Sequence, residues 1–318
     1  MRISKWLMMA ALTAIVAATG SVQAETKFIN ILTGGQSGVY YPMGVALSQI
    51  YNKEIEGARS TAQVTRASAE NMNLLQAGRA EVAFALADTV SDAYEGVEEA
   101  GFEAPLDKLR GLSGMYNNYI QIVASKNSGI ETLEDLKGKR ISVGAARSGT
   151  ELNARAVLGA AGISYDDFEK VEYLPFGESV ELMKNRQLDV TLQSAGLGVS
   201  SIRDLSSSID IVVVPIPRDV VEKIDSEAYQ PATIPADTYD DQTEDVATAA
   251  VPNFLITAST VPDDLVYEMT KVLYENLDTL KAAHNAAEDI KLEHALDGMP
   301  VPLHPGAERY YQEVGLID

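Results

Sequence analysis

Three stretches of this chain carry residue types able to hold an anion. The first is Thr33-Gly34-Gly35-Gln36-Ser37-Gly38-Val39-Tyr40-Tyr41-Pro42. Its glycines let the backbone approach a bound group closely, and Pro42 suits the start of a helix. The unpaired N–H groups there, backed by the positive end of the helix dipole, favour a carboxylate or phosphate. Alone, the stretch reads equally well as a tight turn. It lacks the Gly-Lys-Ser/Thr of a phosphate loop, and its glycine spacing departs from the dinucleotide fingerprint. The second stretch is Thr65-Arg66-Ala67-Ser68-Ala69-Glu70-Asn71. Ser68 there is either an N-cap or, with Asn71, a ligand contact, and Arg66 offers a cation for a second carboxylate. The third, Gly144-Ala145-Ala146-Arg147-Ser148-Gly149-Thr150 with Asn153 one turn on, repeats the logic of the first. Two such helix starts facing each other could grip both ends of a small diacid. Asp88 could accept a bond from a ligand amine or cap a helix. Gln193-Ser194-Ala195-Gly196 adds a fourth polar element, and Tyr40, Tyr41, Tyr116, Tyr119 and Phe176 either line a cleft or pack in the core.

Other chemistries find little support. There is no Cys, so disulfides, thiolate metal sites and a Cys nucleophile are excluded. The three His, at 284, 294 and 304, have no metal-site spacing and leave Ser37 or Ser148 without a nearby base for hydrolysis. The acidic run 95–103 reads as a solvated face. Residues 237–245 read as a solvated loop with at most a weak attraction for Ca²⁺. No cofactor and no metal is expected. The formal charge of −21 repels nucleic acid and anionic lipid.

The elements that must position these residues alternate. Segments 27–33, 60–66 and 81–86 read as strands, with helices over 41–51 and 68–76 between them. A second set follows: strands at 119–124, 140–144, 171–174, 188–192 and 211–214, with helices at 132–135, 148–161 and 178–186. Residues 215–245 read as loop with a short helix, 247–257 as a returning strand and 264–287 as helix. This is an α/β chain of two parallel-sheet lobes with a central cleft and C-terminal helices. The anion-binding stretches all fall where strands end and helices begin, the usual ligand edge of such sheets.

The N-terminus fixes the expected compartment. Arg2 and Lys5, an apolar run over 6–18 and small residues at Val22 and Ala24 form the pattern of a secretory signal peptide cleaved after about Ala24. The run is too short to cross a bilayer, which needs ~20 residues. Loss of Arg2 and Lys5 makes the mature charge −23, against −21 for the whole chain. The mature chain is expected to be exported to the periplasm without inserting in the membrane.

These residues together resemble the TAXI family of solute-binding proteins, which serve tripartite ATP-independent periplasmic (TRAP) transporters. The matching stretches are Thr33-Gly34-Gly35 with Gly38-Val39-Tyr40-Tyr41-Pro42, Ser68-Ala69-Glu70-Asn71 with Leu74-Leu75-Gln76-Ala77-Gly78, Gly129-Ile130 with the run 133–144, Ser148-Gly149-Thr150-Glu151 and residues 251–274. The resemblance implies a two-lobed periplasmic-binding-protein fold of type II kind. Lobe 1 would span 25–118 and about 270–318, and lobe 2 about 119–269. It also implies a ligand like glutamate, glutamine or 2-oxoglutarate, a TRAP membrane subunit as partner, a monomer and no catalysis. Its binding positions fall on Thr33, Gly34, Gly35, Ser37, Gly38, Val39, Tyr40 and Tyr41, on Ser68, and on Ser148, Gly149 and Thr150. This chain departs from the family at Arg66, Arg147 and Gln193-Ser194; we expect Arg66, Arg147 and Gln193 to tune the site for a more polar or doubly anionic ligand, with Asn71, Asp88 and Ser194 as further contacts. Presentation of the ligand to a membrane receptor kinase is the alternative, and an exported hydrolase the least favoured.

Overall fold

The computed structural model describes residues 26–318; the signal-peptide reading of residues 1–24 lies outside them. The chain opens with strand β1 (Lys27–Leu32), helix α1 (Tyr40–Glu54), strand β2 (Ala58–Gln63), helix α2 (Ser68–Gln76) and strand β3 (Val82–Leu86). β1 pairs in parallel with both β2 and β3. β3 reads VAFAL and is buried at every position, as a strand covered by helices on both faces must be. Helix α3 (Ala87–Glu95) follows directly; the sequence had pointed to it only through Asp88 as a helix cap.

Strand β4 (Leu109–Ser125) is far longer than the expected 119–124. Its first half is obscured in sequence by Gly111, Gly114, Asn117 and Asn118. The two glycines are there because the C-terminal segment crosses at close range. A Cβ on Gly111 would lie 2.4 Å from Met299 Sδ, and one on Gly114 would lie 3.0 Å from the His294 carbonyl oxygen. Their N–H groups donate to the carbonyls of Pro302 and Ala295.

A second βα set follows: β5 (Arg140–Ser142), α4 (Gly149–Ala160), β6 (Lys170–Glu172), α5 (Phe176–Lys184), β7 (Val190–Ala195), α6 (Ser200–Ser206) and β8 (Ile211–Val214). β5 pairs in parallel with β6 and β7. The segment expected to be loop contains α7 (Arg218–Val221) and an extra strand, β9 (Gln230–Ile234). β9 is mostly exposed and lies on β10 (Val246–Ala258), so it carries no apolar signature.

β4 and β10 bind the two sets together. The sheet order is β2-β1-β3-β10-β4-β7-β5-β6, with β8 on β4 and β9 on β10. β10 pairs with β9 over residues 246–250 and with β3 over 253–257, and it runs antiparallel to β4 throughout. The register between them shifts at Pro252, where proline cannot donate to the ladder. The expected helix over 264–287 is two, α8 (Asp263–Glu275) and α9 (Leu277–Ala283), separated at Asn276. α10 (Pro305–Glu313) closes the chain, and its Tyr311 hydroxyl donates to the Leu112 carbonyl at 2.7 Å, tying the tail to β4. Among the described residues no helix is long and apolar enough to cross a membrane.

Candidate binding site

A cavity of about 760 Å³ lies where the first helical turns of α1, α2, α4 and α5 converge. Of the residues singled out from sequence, Gly34, Gly35, Ser37, Gly38, Val39, Tyr40, Arg66, Ser68, Ser148, Thr150 and Ser194 line it. The reason is topological. Each helix leaves the C-terminal end of a parallel strand, or the turn beyond it, so the helix starts meet at one edge of the sheet.

The α1 turn presents its backbone. Val39, at the N-cap, supplies no side-chain bond, and no acidic residue stands in the first turn. The first N–H groups of a helix have no partner within it, so here they remain available to a bound group. Tyr40 lies beneath, its ring stacked 5.1 Å from Phe84 and its hydroxyl donating to Asn253 Oδ1. Burial pushes the Tyr40 phenol far up, against the opposing effect of its bond with Ser68.

Two serines present hydroxyls. Ser68 is not the N-cap of α2; that place is taken by Ala67, whose backbone has a positive φ of 71°. Ser68 Oγ instead accepts the Leu86 N–H at 3.2 Å. Ser148 is the N-cap of α4, accepting the Glu151 N–H at 3.2 Å. With an acceptor site of each oxygen used, each hydroxyl keeps its hydrogen to donate, Ser148 to the cavity and Ser68 to the cavity or the Tyr40 oxygen. Ser194, 4% exposed, has an Oγ with no partner among the described residues. It lies within β7 and not after it, beside Asn118, whose Nδ2 donates to the Ser194 carbonyl at 2.8 Å. An open helix end and the Ser68 and Ser148 hydroxyls could hold a hydrogen-bond acceptor in this cavity, with the buried Ser194 hydroxyl in its lining.

The remaining expected contacts do other work. Asn71 is wholly buried; it donates to the carbonyls of Thr33 and Phe84, both at 2.8 Å, and accepts from Thr65. It therefore fixes the turn instead of facing the cavity. Thr33 donates to the Gln63 carbonyl at 2.7 Å. Gln193, also in β7, accepts from Ser201 at 2.6 Å. Tyr41 lies outside the cavity lining. Gly149 is a contact point: a Cβ there would meet Ser68 Oγ and Leu86 Cδ1 at 2.6 Å.

The charged expectations change most. Arg147 sits in the left-handed region at φ 62°, is exposed and lines no part of the cavity. Arg66 does reach the rim but pairs with Glu70 at 3.3 Å. Burial pushes Glu70 up, yet the bonds and charge of Arg66 outweigh it and hold Glu70 below the usual carboxylate range. Asp88 does not face a ligand. It accepts from Asn153 Nδ2 and the Tyr229 hydroxyl, both at 2.6 Å, and from its neighbour Thr89. Burial raises Asp88 above its ordinary value despite these bonds.

Sequence reasoning missed Val64, Asn118, Leu86 and the start of α5 as lining residues. Pro175-Phe176-Gly177-Glu178 carries the same signal as the other turns, a strand at 171–174 and a helix from 178, but of these residues only Phe176 is a cleft candidate from sequence. Among the described residues no group of His, Cys, Asp and Glu could hold a metal ion.

A mixed α/β sheet whose two βαβ sets share a pair of long antiparallel strands, with a cavity where their helices start, is the periplasmic-binding-protein architecture. Solved structures share it over nearly the whole chain. A protein described as a periplasmic transporter matches 92% of this chain and 94% of its own, at 13% identity and TM-score 0.57. PhnD1 from Prochlorococcus marinus, solved with methylphosphonate, matches 92% of this chain and 99% of its own, at 11% identity and TM-score 0.58. A putative L-cystine ABC transporter protein from Listeria monocytogenes matches 84% and 99%, at 16% identity and TM-score 0.51. The chain itself belongs to the NMT1-like family, whose match covers residues 31–315.

Proposed function

We propose that this protein is an extracytoplasmic solute-binding receptor that captures a small carboxylate and delivers it to a membrane transporter of the TRAP type. The carrying observation is the cavity itself, which offers the open α1 end and the Ser68, Ser148 and Ser194 hydroxyls. Such donors select an acceptor-rich anion. The resemblance to TAXI receptors names glutamate, glutamine and 2-oxoglutarate as the ligands to try first, and a TRAP subunit as partner. The ABC-transporter description of a structural neighbour keeps an ABC importer as the competing partner.

In this reading the lobes are residues 25–118 with the C-terminal segment, and the residues between. β4 and β10 are the hinge strands, and the return to the first lobe falls near Asn253, where β10 begins to pair with β3. In this reading the two lobes touch beside the cavity. Ser200 Oγ donates to the Ser37 carbonyl at 3.0 Å, and Gly149 packs on Ser68. Ligand contacts to both lobes would favour a closed state over an open one. Ser148 has its oxygen engaged by α4, and among the described residues no side-chain base is bonded to it.

The test is calorimetry on protein stripped of carried-over ligand by unfolding and refolding, against glutamate, glutamine, 2-oxoglutarate, succinate and other small acids. Micromolar or tighter binding of one acid is expected; absence of binding by every carboxylate tried overturns the reading.

A further inference from the structure

Resting on the receptor reading, we infer that the cavity is built for a monoanion with an apolar body, and that it discriminates against diacids. The first ground is a census of charge. The side chains of formal charge lining the cavity are Arg66, Glu70 and Glu178. Arg66 is held by Glu70 at 3.3 Å, and no described ion pair engages Glu178. Arg147, the other cation the sequence offered, faces away from the cavity. A second ligand carboxylate would therefore meet no free cation and one free carboxylate.

The helix ends give the same answer. α2, α4 and α5 each carry an acidic residue in the first turn, Glu70, Glu151 and Glu178 respectively. These carboxylates already answer the positive ends of their helices; Glu151 does so while also paired with Arg155 at 2.6 Å. α1 has no acidic residue in its first turn and no side-chain cap. One helix end of the four is left uncompensated, and it suits one negative group. Ser194, a lining residue whose buried Oγ has no partner among the described residues, is the side-chain donor we assign to the same group. Val39 of α1 lies against Gly196, two residues beyond Ser194 in sequence.

The second ground is the rest of the lining. Val39, Tyr40, Val64, Leu86, Pro175 and Phe176 present apolar surface. A volume of about 760 Å³ is room for roughly 25 water molecules at ~30 Å³ each. A five-carbon diacid, with about ten heavy atoms, would leave much of it to water, whereas an apolar tail would cover these side chains. The anionic head then sits at the α1 turn and the tail runs toward Phe176 and the Val64 rim.

The test uses two acids that share one head group, 4-methyl-2-oxopentanoate and 2-oxoglutarate, titrated into ligand-stripped full-length mature protein by calorimetry. Beyond a shared methylene, one tail ends in a branched hydrocarbon and the other in a second methylene and a carboxylate. The branched monoanion is expected to bind at least tenfold tighter. Phenylpyruvate should follow it, and its neutral amide should bind at least tenfold weaker than phenylpyruvate. Glu178→Gln should narrow the gap between the pair severalfold by strengthening 2-oxoglutarate. Tighter binding of 2-oxoglutarate, or a gap unmoved by Glu178→Gln, overturns the inference and leaves the carboxylate receptor standing. Binding of none of these acids or of any acid in the wider panel overturns both.

Discussion

The α1 turn and the α4 turn look alike in sequence: a strand, a run of small residues, then a helix. In the folded protein they are used differently. The α1 turn is uncapped and opens onto the cavity, and a Cβ at Gly38 would find its neighbours at ordinary or near-ordinary distances of 3.4 and 3.8 Å. The α4 turn is capped by its own Ser148, and Gly149 is pressed against Ser68 and Leu86. In the proposed receptor one end is kept for the ligand, while the other serves as the seat on which the two halves meet. A glycine-rich helix start thus signals close approach of something, and whether that something is ligand or protein depends on what the fold places opposite.

Breaking the seat should have the largest effect. Gly149→Ala puts a methyl 2.6 Å from Ser68 Oγ and Leu86 Cδ1. It should lower affinity for the tightest-binding acid about a hundredfold by depleting the closed state, with thermal stability of the ligand-free protein maintained. Gly38→Ala, in the open turn, should cost far less. Equal effects of the two in calorimetry would erase the distinction drawn between the turns.

Ser68 belongs to both regions, since it lines the cavity and touches Gly149. Ser68→Ala removes the acceptor of the Leu86 N–H and a donor to the ligand. About a tenfold loss of affinity is expected, the value of one or two hydrogen bonds. An unchanged dissociation constant would remove Ser68 from the site.

The smallest effect lies behind the seat, in α3. Asp92 is pushed up to about 6 by burial and then by the charges of Asp88 and Glu95. The folded protein therefore holds a proton that the unfolded chain has lost between about pH 4 and 6. Stability from this group is present below pH 4 and falls as pH rises through 6. Asp92→Asn should melt about 2 °C higher than the parent at pH 7, with the gap closing by pH 4. A constant gap across that range in calorimetric scans would assign the effect to packing.

Much of the fold was legible because local signals and tertiary need agreed. Residues 81–86 read as a strand of a parallel sheet and β3 is one, and helix α2 runs over 68–76 as its pattern indicates. Legibility failed where the cause lay far along the chain. The first half of β4 looks like loop until Met299 and the carbonyls of residues 294–302 are placed over Gly111 and Gly114. β9 exists because β10 offers it an edge.

The sequence by itself determined that helix starts would gather at one sheet edge, that no thiol chemistry was available and that a net charge of −21 would need local dipoles to hold an anion. Residue type and spacing suffice for such statements, since they concern backbone periodicity and formal charge. Only the tertiary structure decided the fate of each polar side chain. Asp88 and Asn71 are as polar as Ser68, yet they bond to Asn153, Tyr229 and backbone carbonyls. Arg66 and Arg147 are both cations beside glycine- and serine-rich turns, yet Glu70 takes one and solvent the other. A hydrogen bond or ion pair acts over about 3 Å, so whether a group is spent on the protein or kept for a ligand is settled by neighbours that only folding brings within reach.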